Sequence, residues 1–282
     1  MQSELLTIDT GGKRPYEVDV SYQELPIRGL PDELCGAHMV HLTDFHAGYG
    51  NTDPVFEEAI RRLDVLKPEF VFLTGDYLDD RSARKGYRFG DILERIQARH
   101  GVYASLGNHD HRAGPKRISA MLEQYGVRVL NNESVCVGPG LWVAGVDDLL
   151  EGKPDVDVAL REIPSDQTPI VLAHNPSTIR LVGDRSLVML SGHTHGGQIV
   201  VPFPSPRLVV WVHLRCRHVS GWYTQGNARL YVNRGIGVTG KPFRFRCPAE
   251  IAVFRLTRDC ASPAPADERS MGSLASGTAA GR

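Results

Sequence analysis

Residues 102–110, with the sequence VYASLGNHD, decide the fold that we predict for this chain. The apolar first half is typical of a buried strand, and Gly107 followed by Asn108 predicts the sharp turn that ends it. His109 and Asp110 come next, so groups able to bind a metal ion or transfer a proton stand directly at the end of a strand. This order of strand, turn and reactive side chain organises the rest of the sequence.

The same order occurs at four further places along the chain. Apolar stretches over 37–43, 69–74, 170–173 and 187–190 each predict a strand that runs into carboxylate or imidazole side chains. Loops at the carboxyl ends of strands in an open α/β sheet converge on one crevice, so side chains distant in sequence could meet there. The five polar stretches are Asp44-Phe45-His46, Gly75-Asp76, Gly107-Asn108-His109-Asp110, His174-Asn175 and Gly192-His193-Thr194-His195.

Helices are predicted between the first strands. Asp53-Pro54 supplies a capping residue and a proline in the first turn of one helix, which Pro68 ends. The apolar spacing over 89–99 predicts a second helix, and alternation over 16–22 predicts a strand. Alternating strands, loops and helices predict an α/β fold built on a sheet with parallel strands.

The chain divides into three parts by composition. We expect residues 1–36 to be an N-terminal strand segment packed on the domain, residues 37–258 to form the domain, and residues 259–282 to be a disordered tail. The tail is rich in Ser, Ala, Gly and Pro and lacks apolar periodicity, so it cannot bury enough surface to fold.

Composition limits the classes of function. The chain has 282 residues, with 32 Lys and Arg against 33 Asp and Glu, and the net charge of -1 argues against a protein that coats nucleic acid. No stretch approaches the ~20 apolar residues of a membrane-spanning helix, and residues 1–10 do not resemble a secretory signal. The five Cys lack CxxC spacing, which favours a reducing compartment. We therefore expect a cytoplasmic protein, with peripheral membrane contact as an open alternative.

The side chains in the five polar stretches are typical of a centre that binds two metal ions. Carboxylate and imidazole groups without thiolates suit Mn, Fe or Zn and not a structural zinc site. Asp44 and His46 would point to the same side of an extended segment, as would His193 and His195. Each stretch alone is more simply explained as a turn or a hydrogen-bonded histidine, but five in one order, each after a predicted strand, favour the metal centre.

Together the five stretches resemble the calcineurin-like metallophosphoesterase family, whose pattern is D-x-H, G-D-x-x-D, G-N-H-D/E, H and G-H-x-H. The stretches after 195 resemble its bacterial YkuE/YaeI-type branch. The resemblance implies a four-layer α/β/β/α sandwich of two mixed sheets flanked by helices, and two divalent metal ions. It implies that the first ion binds Asp44, His46, Asp76 and His195, and the second Asp76, Asn108, His174 and His193. It also implies that His109 acts at the leaving-group oxygen, with Asp110 as its orienting partner.

The activity implied by the resemblance is hydrolysis of a phosphomonoester, phosphodiester or phosphoanhydride through a dinuclear metal centre and a bridging hydroxide. Two alternatives stay open: a lipid enzyme similar to a UDP-2,3-diacylglucosamine pyrophosphatase, and a non-catalytic interaction scaffold of the same fold. The expected partner is a small phosphorylated substrate, such as a lipid or a nucleotide, without extended nucleic-acid binding.

The segment 199–223 interleaves aromatic and aliphatic residues with arginines. The simpler interpretation is a pair of strands and a loop that complete the second half of the fold. The alternative is a surface that contacts lipid near the site, because aromatic and basic side chains suit the boundary between membrane and water.

Overall fold

The computed structural model of the chain describes residues 18–79, 89–138, 140–201, 203, 214 and 216–259. Strands in these residues form two six-stranded sheets. The strands are β1 (Val18–Ile27), β2 (His38–Leu42), β3 (Phe70–Thr74), β4 (Val102–Ser105), β5 (Val127–Val129), β6 (Glu133–Gly138), β7 (Leu141–Gly145), β8 (Ile170–Leu172), β9 (Leu187–Ser191), β10 (Gly221–Gln225), β11 (Ala228–Val232) and β12 (Ala249–Arg258). The helices are α1 (Asp53–Leu66), α2 (Gly90–Leu93), α3 (Asn108–Ala113), α4 (Pro115–Gln124) and α5 (Val156–Ala159).

The first sheet has the order β1-β12-β2-β3-β4-β5. Strands β2 to β5 are parallel neighbours, as the alternation of strands and helices predicted. Strand β12 runs antiparallel to β2 and parallel to β1, which makes the sheet mixed. The carboxyl ends of β2, β3 and β4 therefore lie side by side at one edge.

The second sheet has the order β10-β11-β9-β8-β7-β6. Its four inner strands, β7, β8, β9 and β11, are parallel, and an antiparallel strand closes each side. Because β8 and β9 are parallel neighbours, their carboxyl ends also lie side by side, in the same arrangement as in the first sheet.

Three apolar clusters separate four layers and confirm the α/β/β/α sandwich. Along β3, Phe70 and Phe72 face the second sheet while Val71 and Leu73 face the helices, because successive strand residues point to opposite sides. Helix α1 covers the first sheet, and α5 with the 3-10 segment Pro176–Leu181 covers the second. Each fully buried Phe or Leu in these clusters stabilises the fold by roughly 1.5–3 kcal/mol.

Helix α1 follows most of the sequence signals, but Asp53 is its first helical residue and Thr52 occupies the capping position that the sequence predicted for Asp53. Pro54 lies in the first turn, and the helix ends at Lys67, which adopts a left-handed conformation before Pro68. Spacings of three and four residues place one apolar face against the first sheet. The buried residues of that face are Val55, Phe56, Ala59, Ile60 and Leu63.

One helical prediction differs from the structure, and a further helix was missed. The predicted helix over 89–99 is α-helical only over Gly90–Leu93, because the N–H groups of Arg99 and His100 donate to the carbonyls of Pro68 and Glu69. Helix α4 was not predicted, although Pro115 in its first turn and the buried pair Ile118 and Leu122 are typical helix signals.

The predicted N-terminal segment contributes β1, which pairs along its whole length with β12. This strand covers Val18–Ile27, where the sequence predicted 16–22. Residues 1–17 and the predicted tail after residue 259 lie outside the described residues.

Candidate metal centre

The five polar stretches meet at the edge where the carboxyl ends of both sheets come together. Asp44, Asp76 and Asn108 follow β2, β3 and β4, while His174 and His193 follow β8 and β9. Hydrogen bonds donated by two histidines join the sheets here. The amide N–H of His193 donates to both carboxylate oxygens of Asp44 at 3.0 and 2.9 Å. His174 Nδ1 donates to the carbonyl of Thr74 at 2.7 Å.

One group of candidate ligands consists of Asp44, His46 and His195, all buried. The Nε2 atom of His195 lies 3.3 Å from Asp44 Oδ1 and 3.1 Å from His46 Nε2. Two imidazole nitrogens and a carboxylate oxygen that converge in this way offer three lone pairs to one point, which suits a divalent transition metal ion.

The carboxylate of Asp76 lies between this group and a second set of histidines. Its Oδ2 atom is 3.5 Å from His46 Nε2 and 3.2 Å from His174 Nε2. The bond from His174 Nδ1 to Thr74 requires a proton on Nδ1, so in the neutral ring the lone pair of Nε2 points toward Asp76. One oxygen of Asp76 therefore faces a histidine nitrogen on each side.

Asn108 and His193 complete the predicted set. His193 Nδ1 lies 3.3 Å from His174 Nε2, and Asn108 stands between Gly107 and His109, both of which contact the carboxylate of Asp76. Buried polar atoms normally have hydrogen-bond partners. Three atoms of the candidate ligands are buried without one among the described residues: His46 Nδ1, Asn108 Oδ1 and His193 Nε2. The donor set and the unpaired oxygen of Asn108 fit a metal centre, whereas the unpaired nitrogens of His46 and His193 are the ring atoms opposite those that face the other candidate ligands.

The backbone of the ligand loops departs from the extended conformation that we expected for Asp-x-His. Nine described residues other than glycine have a positive φ, and five of them are candidate ligands. These are Asp44, His46, Asp76, His193 and His195, with φ between 44° and 71°. Such conformations cost of order 1–3 kcal/mol each and cluster at functional sites. The ligands converge through strained turns, and not through the alternation of an extended strand.

Glycines beside the carboxylates allow this close approach. A Cβ atom at Gly107 would collide with Asp76 Oδ1, and one at Gly192 would collide with Asp44 Oδ2. Gly107 and Gly192 are therefore required by packing against a ligand of a neighbouring loop, whereas a Cβ atom at Gly75 would collide with the backbone of Gly107.

Electrostatics favours the ligating forms at most positions. Burial lowers the pKa of His46 to about 3 and the pKa of His193 to about 4, so both rings are neutral near pH 7. Burial opposes ionisation of Asp44 and Asp76, but the charges of nearby His195 and His174 hold the pKa of both carboxyls below the usual range. Burial lowers the pKa of His174, but the negative charge of Asp76 acts in the opposite direction, and the pKa of His174 is raised. Metal binding would displace that proton.

The carboxylate of Asp110 holds the loops together. It accepts the N–H groups of Asp76 at 2.7 Å, Tyr77 at 3.0 Å and Gly107 at 2.8 Å. Burial raises the pKa of Asp110 to about 7, against the effect of these three donors. The resemblance implied a different task, the orientation of His109. The ring of His109 lies edge-on to His46, with centroids 4.7 Å apart.

Two residues near the centre were missed by the sequence analysis. Thr43 Oγ1 donates to Asp44 Oδ2 at 2.9 Å, and Arg244 reaches the His195 loop. Thr43 could have been found as the residue before the first motif. Arg244 carries no local signal, because 49 residues separate it from His195.

A sandwich of two mixed sheets with Asp, Asn and His gathered at the carboxyl ends of its strands defines a metal-dependent phosphoesterase. The chain belongs to the calcineurin-like phosphoesterase family, whose profile matches residues 37–197. The family predicted from the five motifs is confirmed, and the chain is a metallophosphoesterase.

The chain is 29% identical over 249 residues to the metallophosphoesterase YkuE of Bacillus subtilis (strain 168), a match that covers 86% of each chain and supports the predicted branch. It is 33% identical over 226 residues to a metallophosphoesterase of Helicobacter pylori (strain J99 / ATCC 700824). That match covers 77% of this chain but 59% of the relative, so the chain spans less than two thirds of that protein.

Among solved structures, a dimetal phosphatase from Danio rerio shares the fold. Its TM-score is 0.51 at 12% identity, and the match covers 80% of this chain and 94% of that one. In the described part of our chain, no helix is long and apolar enough to cross a bilayer.

Proposed function

We propose that the chain hydrolyses a small phosphorylated substrate at a centre of two divalent metal ions shared by the two sheets. The observation that carries this proposal is the position of Asp76 Oδ2 between His46 Nε2 and His174 Nε2, at 3.5 and 3.2 Å. A single carboxylate oxygen facing a nitrogen ligand on each side has the arrangement that a bridging ligand needs.

Seven side chains would hold the ions. Asp44, His46, Asp76 and His195 would bind the first, and Asp76, Asn108, His174 and His193 the second. When bound, two such ions lower the pKa of a water molecule and neutralise charge on the phosphate oxygens. The chain's own contribution is a rigid and buried set of donors, whose geometry is fixed before the substrate arrives.

His109 is the residue we propose as the proton donor to the leaving oxygen. Its backbone N–H donates to Asp76 Oδ1 at 2.9 Å, which fixes the first turn of α3 against the centre. Its side chain is partly exposed, beside the buried ring of His46. A partly exposed histidine beside the centre can reach the departing group and donate a proton to it.

The test is to strip the protein of metal and restore it separately with Mn, Fe, Zn and Mg. We would compare an aryl phosphomonoester, an aryl phosphodiester and UDP-2,3-diacylglucosamine as substrates. We expect two bound ions per chain and hydrolysis that depends on them. Two bound ions without hydrolysis of any substrate would favour a non-catalytic scaffold, and activity of the metal-free protein would contradict the proposal.

A lipid-like substrate is a second candidate, supported by exposed aromatic residues near the centre. Phe203, Phe243 and Phe245 are 88%, 53% and 46% exposed. The N–H of Phe245 donates to the carbonyl of Gln198, three residues after His195, and Gln198 Nε2 donates to the carbonyl of Phe243, so the backbones of these two residues adjoin the ligand loop. Within 199–223, residues 202, 204–213 and 215 lie outside the described residues, and the strand β10 begins only at Gly221.

Peripheral membrane contact can be tested directly. Phe243→Glu should reduce cosedimentation with vesicles that contain anionic lipid, while Val65→Glu, at an exposed position of α1, should not. Equal binding of both variants and the unmodified protein, or no binding by any of them, would remove this candidate and leave the phosphoesterase proposal unchanged.

A further inference from the structure

Arg244 is a partly buried arginine beside the first group of candidate ligands. Its guanidinium makes short hydrogen bonds to backbone carbonyls, and in the described part of the chain it bonds no carboxylate. Moving a cation out of water costs free energy. We therefore ask which segments of the fold its hydrogen bonds connect.

On one side, Arg244 binds the loop 235–237. Nη2 donates to the carbonyls of Gly235 at 3.0 Å and Gly237 at 2.6 Å, and Nε donates to Gly237 at 2.9 Å. A further bond from Nη2 reaches the carbonyl of Arg234 at 2.8 Å. The three N–H groups of Nε and Nη2 therefore hold this loop, and Arg234 before it, to one planar group.

The loop 235–237 supports Asp44 from behind. The N–H of Ile236 donates to the carbonyl of Thr43 at 3.0 Å, and the N–H of Gly237 donates to the carbonyl of Asp44 at 2.8 Å. There is no room for a Cβ atom at Gly235, which packs on Asp44, or at Gly237, which packs on the carbonyl of Phe45. A shift of this loop would move the backbone of Asp44.

On the other side, Arg244 reaches the loop that carries His195. Nη1 donates to the carbonyl of His195 at 3.4 Å, and Nη2 lies 3.5 Å from His195 Nδ1. Nη1 also reaches the carbonyl of Cys247 at 3.4 Å, and the Cys247 thiol donates to the carbonyl of His195 at 3.3 Å. Both the backbone and the ring of His195 therefore contact the same anchor.

We propose that Arg244 is a positioning residue for the Asp44, His46 and His195 half of the metal centre. It joins the loop that supports Asp44 to the loop that carries His195. This inference rests on the proposed metal centre. The planar fork of five donors explains why the residue is arginine, because lysine offers a point charge that cannot serve carbonyls on both sides at once.

The test measures metal binding and not turnover. We would titrate metal-free protein with Mn²⁺ by calorimetry, and record the electron paramagnetic resonance spectrum of the loaded protein. The unmodified protein should bind two ions that give the signal of a coupled pair. In Arg244→Met, the dissociation constant of one ion should rise about 10–100-fold, the range typical for loss of a group that orients a metal ligand. The signal of an isolated Mn²⁺ ion should then appear.

Two further variants keep the test decisive. The control is Arg258→Met. Arg258 lies at the end of β12, away from the centre, and it also donates to a backbone carbonyl, that of Leu30. The Arg258→Met protein should bind two ions normally. Arg244→Lys retains the charge and should show an intermediate dissociation constant even if the Met variant fails to fold. If Arg244→Lys and any folded Arg244→Met bind both ions as tightly as the unmodified protein does, Arg244 has no positioning role. The proposed function would not be affected by that result. Fewer than two ions in the unmodified protein would overturn the proposed function, and this inference with it.

Discussion

The Nε2 atoms of His46 and His195 lie 3.1 Å apart, although 149 residues separate the two histidines in sequence. His46 follows a strand of the first sheet and His195 follows a strand of the second. In the metal-free protein, one neutral ring can donate its proton to the other. A metal ion bound by both rings would replace that single hydrogen bond. At this contact, therefore, the two sheets contribute ligands to the same site.

Asp76→Asn should remove the ligand that serves both ions. We expect metal content to fall below two ions per chain and turnover to drop by roughly a thousand-fold or more, because several kcal/mol of transition-state stabilisation are lost. Elemental analysis and initial rates check this outcome. The matched control is Asp157→Asn, which alters an exposed carboxylate on α5. Normal rates in Asp76→Asn would contradict the assignment.

His109→Ala should retain two ions and lose activity according to the leaving group. A residue that protonates the departing oxygen matters most when that oxygen is strongly basic. The rate of hydrolysis should therefore fall more for alkyl esters than for nitrophenyl esters. A plot of rate against leaving-group pKa measures this dependence. His100→Ala, at an exposed position without a motif, serves as control. The same loss on every ester would argue against proton donation.

The pair of His111 and Asp147 should make stability depend on pH. His111 Nε2 lies 2.7 Å from Asp147 Oδ1, and the hydrogen bond to that carboxylate raises the pKa of His111 above its usual 6.5. Its stabilising effect should be fully present below pH 6.5 and should be lost as the pH rises through the raised value. Burial opposes ionisation of Asp147, but the bond from His111 helps to hold the pKa of that carboxyl below its usual 3.8.

The contribution of this pair is therefore largest between about pH 4 and 6.5. Denaturant unfolding of the unmodified protein and of His111→Gln across pH 4 to 9 measures it. The difference in unfolding free energy should be about 1 kcal/mol at pH 5.5 and should shrink at alkaline pH. A difference that grows with pH would show that the sign is wrong.

Gly192→Ala should damage the centre through packing. The added Cβ would collide with Asp44 Oδ2 and with the side chain of Thr43. We expect a loss of about 1–3 kcal/mol in unfolding free energy, together with weaker metal binding. Gly138→Ala is the control, since its added methyl would meet only the flexible end of Leu34. If both variants bind metal equally well, the close approach at Gly192 has no role in the centre.

The sequence predicted the strands and the motifs that follow them because both depend on local order. An apolar stretch that runs into glycine and a reactive side chain can be recognised over about ten residues, as at 102–110. The alternation of strands and helices then predicted the parallel arrangement of β2 to β5, which the structure confirms.

What the sequence could not predict depends on contacts between distant segments. The helix expected over 89–99 stops early because Arg99 and His100 hydrogen-bond to the chain before β3. The positive φ angles of Asp44 and His46 replaced the expected extended geometry, since neighbouring loops hold them there. The backbone partners of Asp110 and the carbonyl contacts of Arg244 are likewise visible only once the loops are folded.

Because the candidate ligands come from both sheets, metal binding and the docking of the sheets are thermodynamically linked. An ion bound at the centre contacts ligands from both sheets and therefore stabilises their association. This stabilisation increases with the concentration of the free ion. The same linkage acts in reverse. A substitution in the apolar layer between the sheets, for example at Phe72, would lower the affinity for metal although it changes none of the candidate ligands.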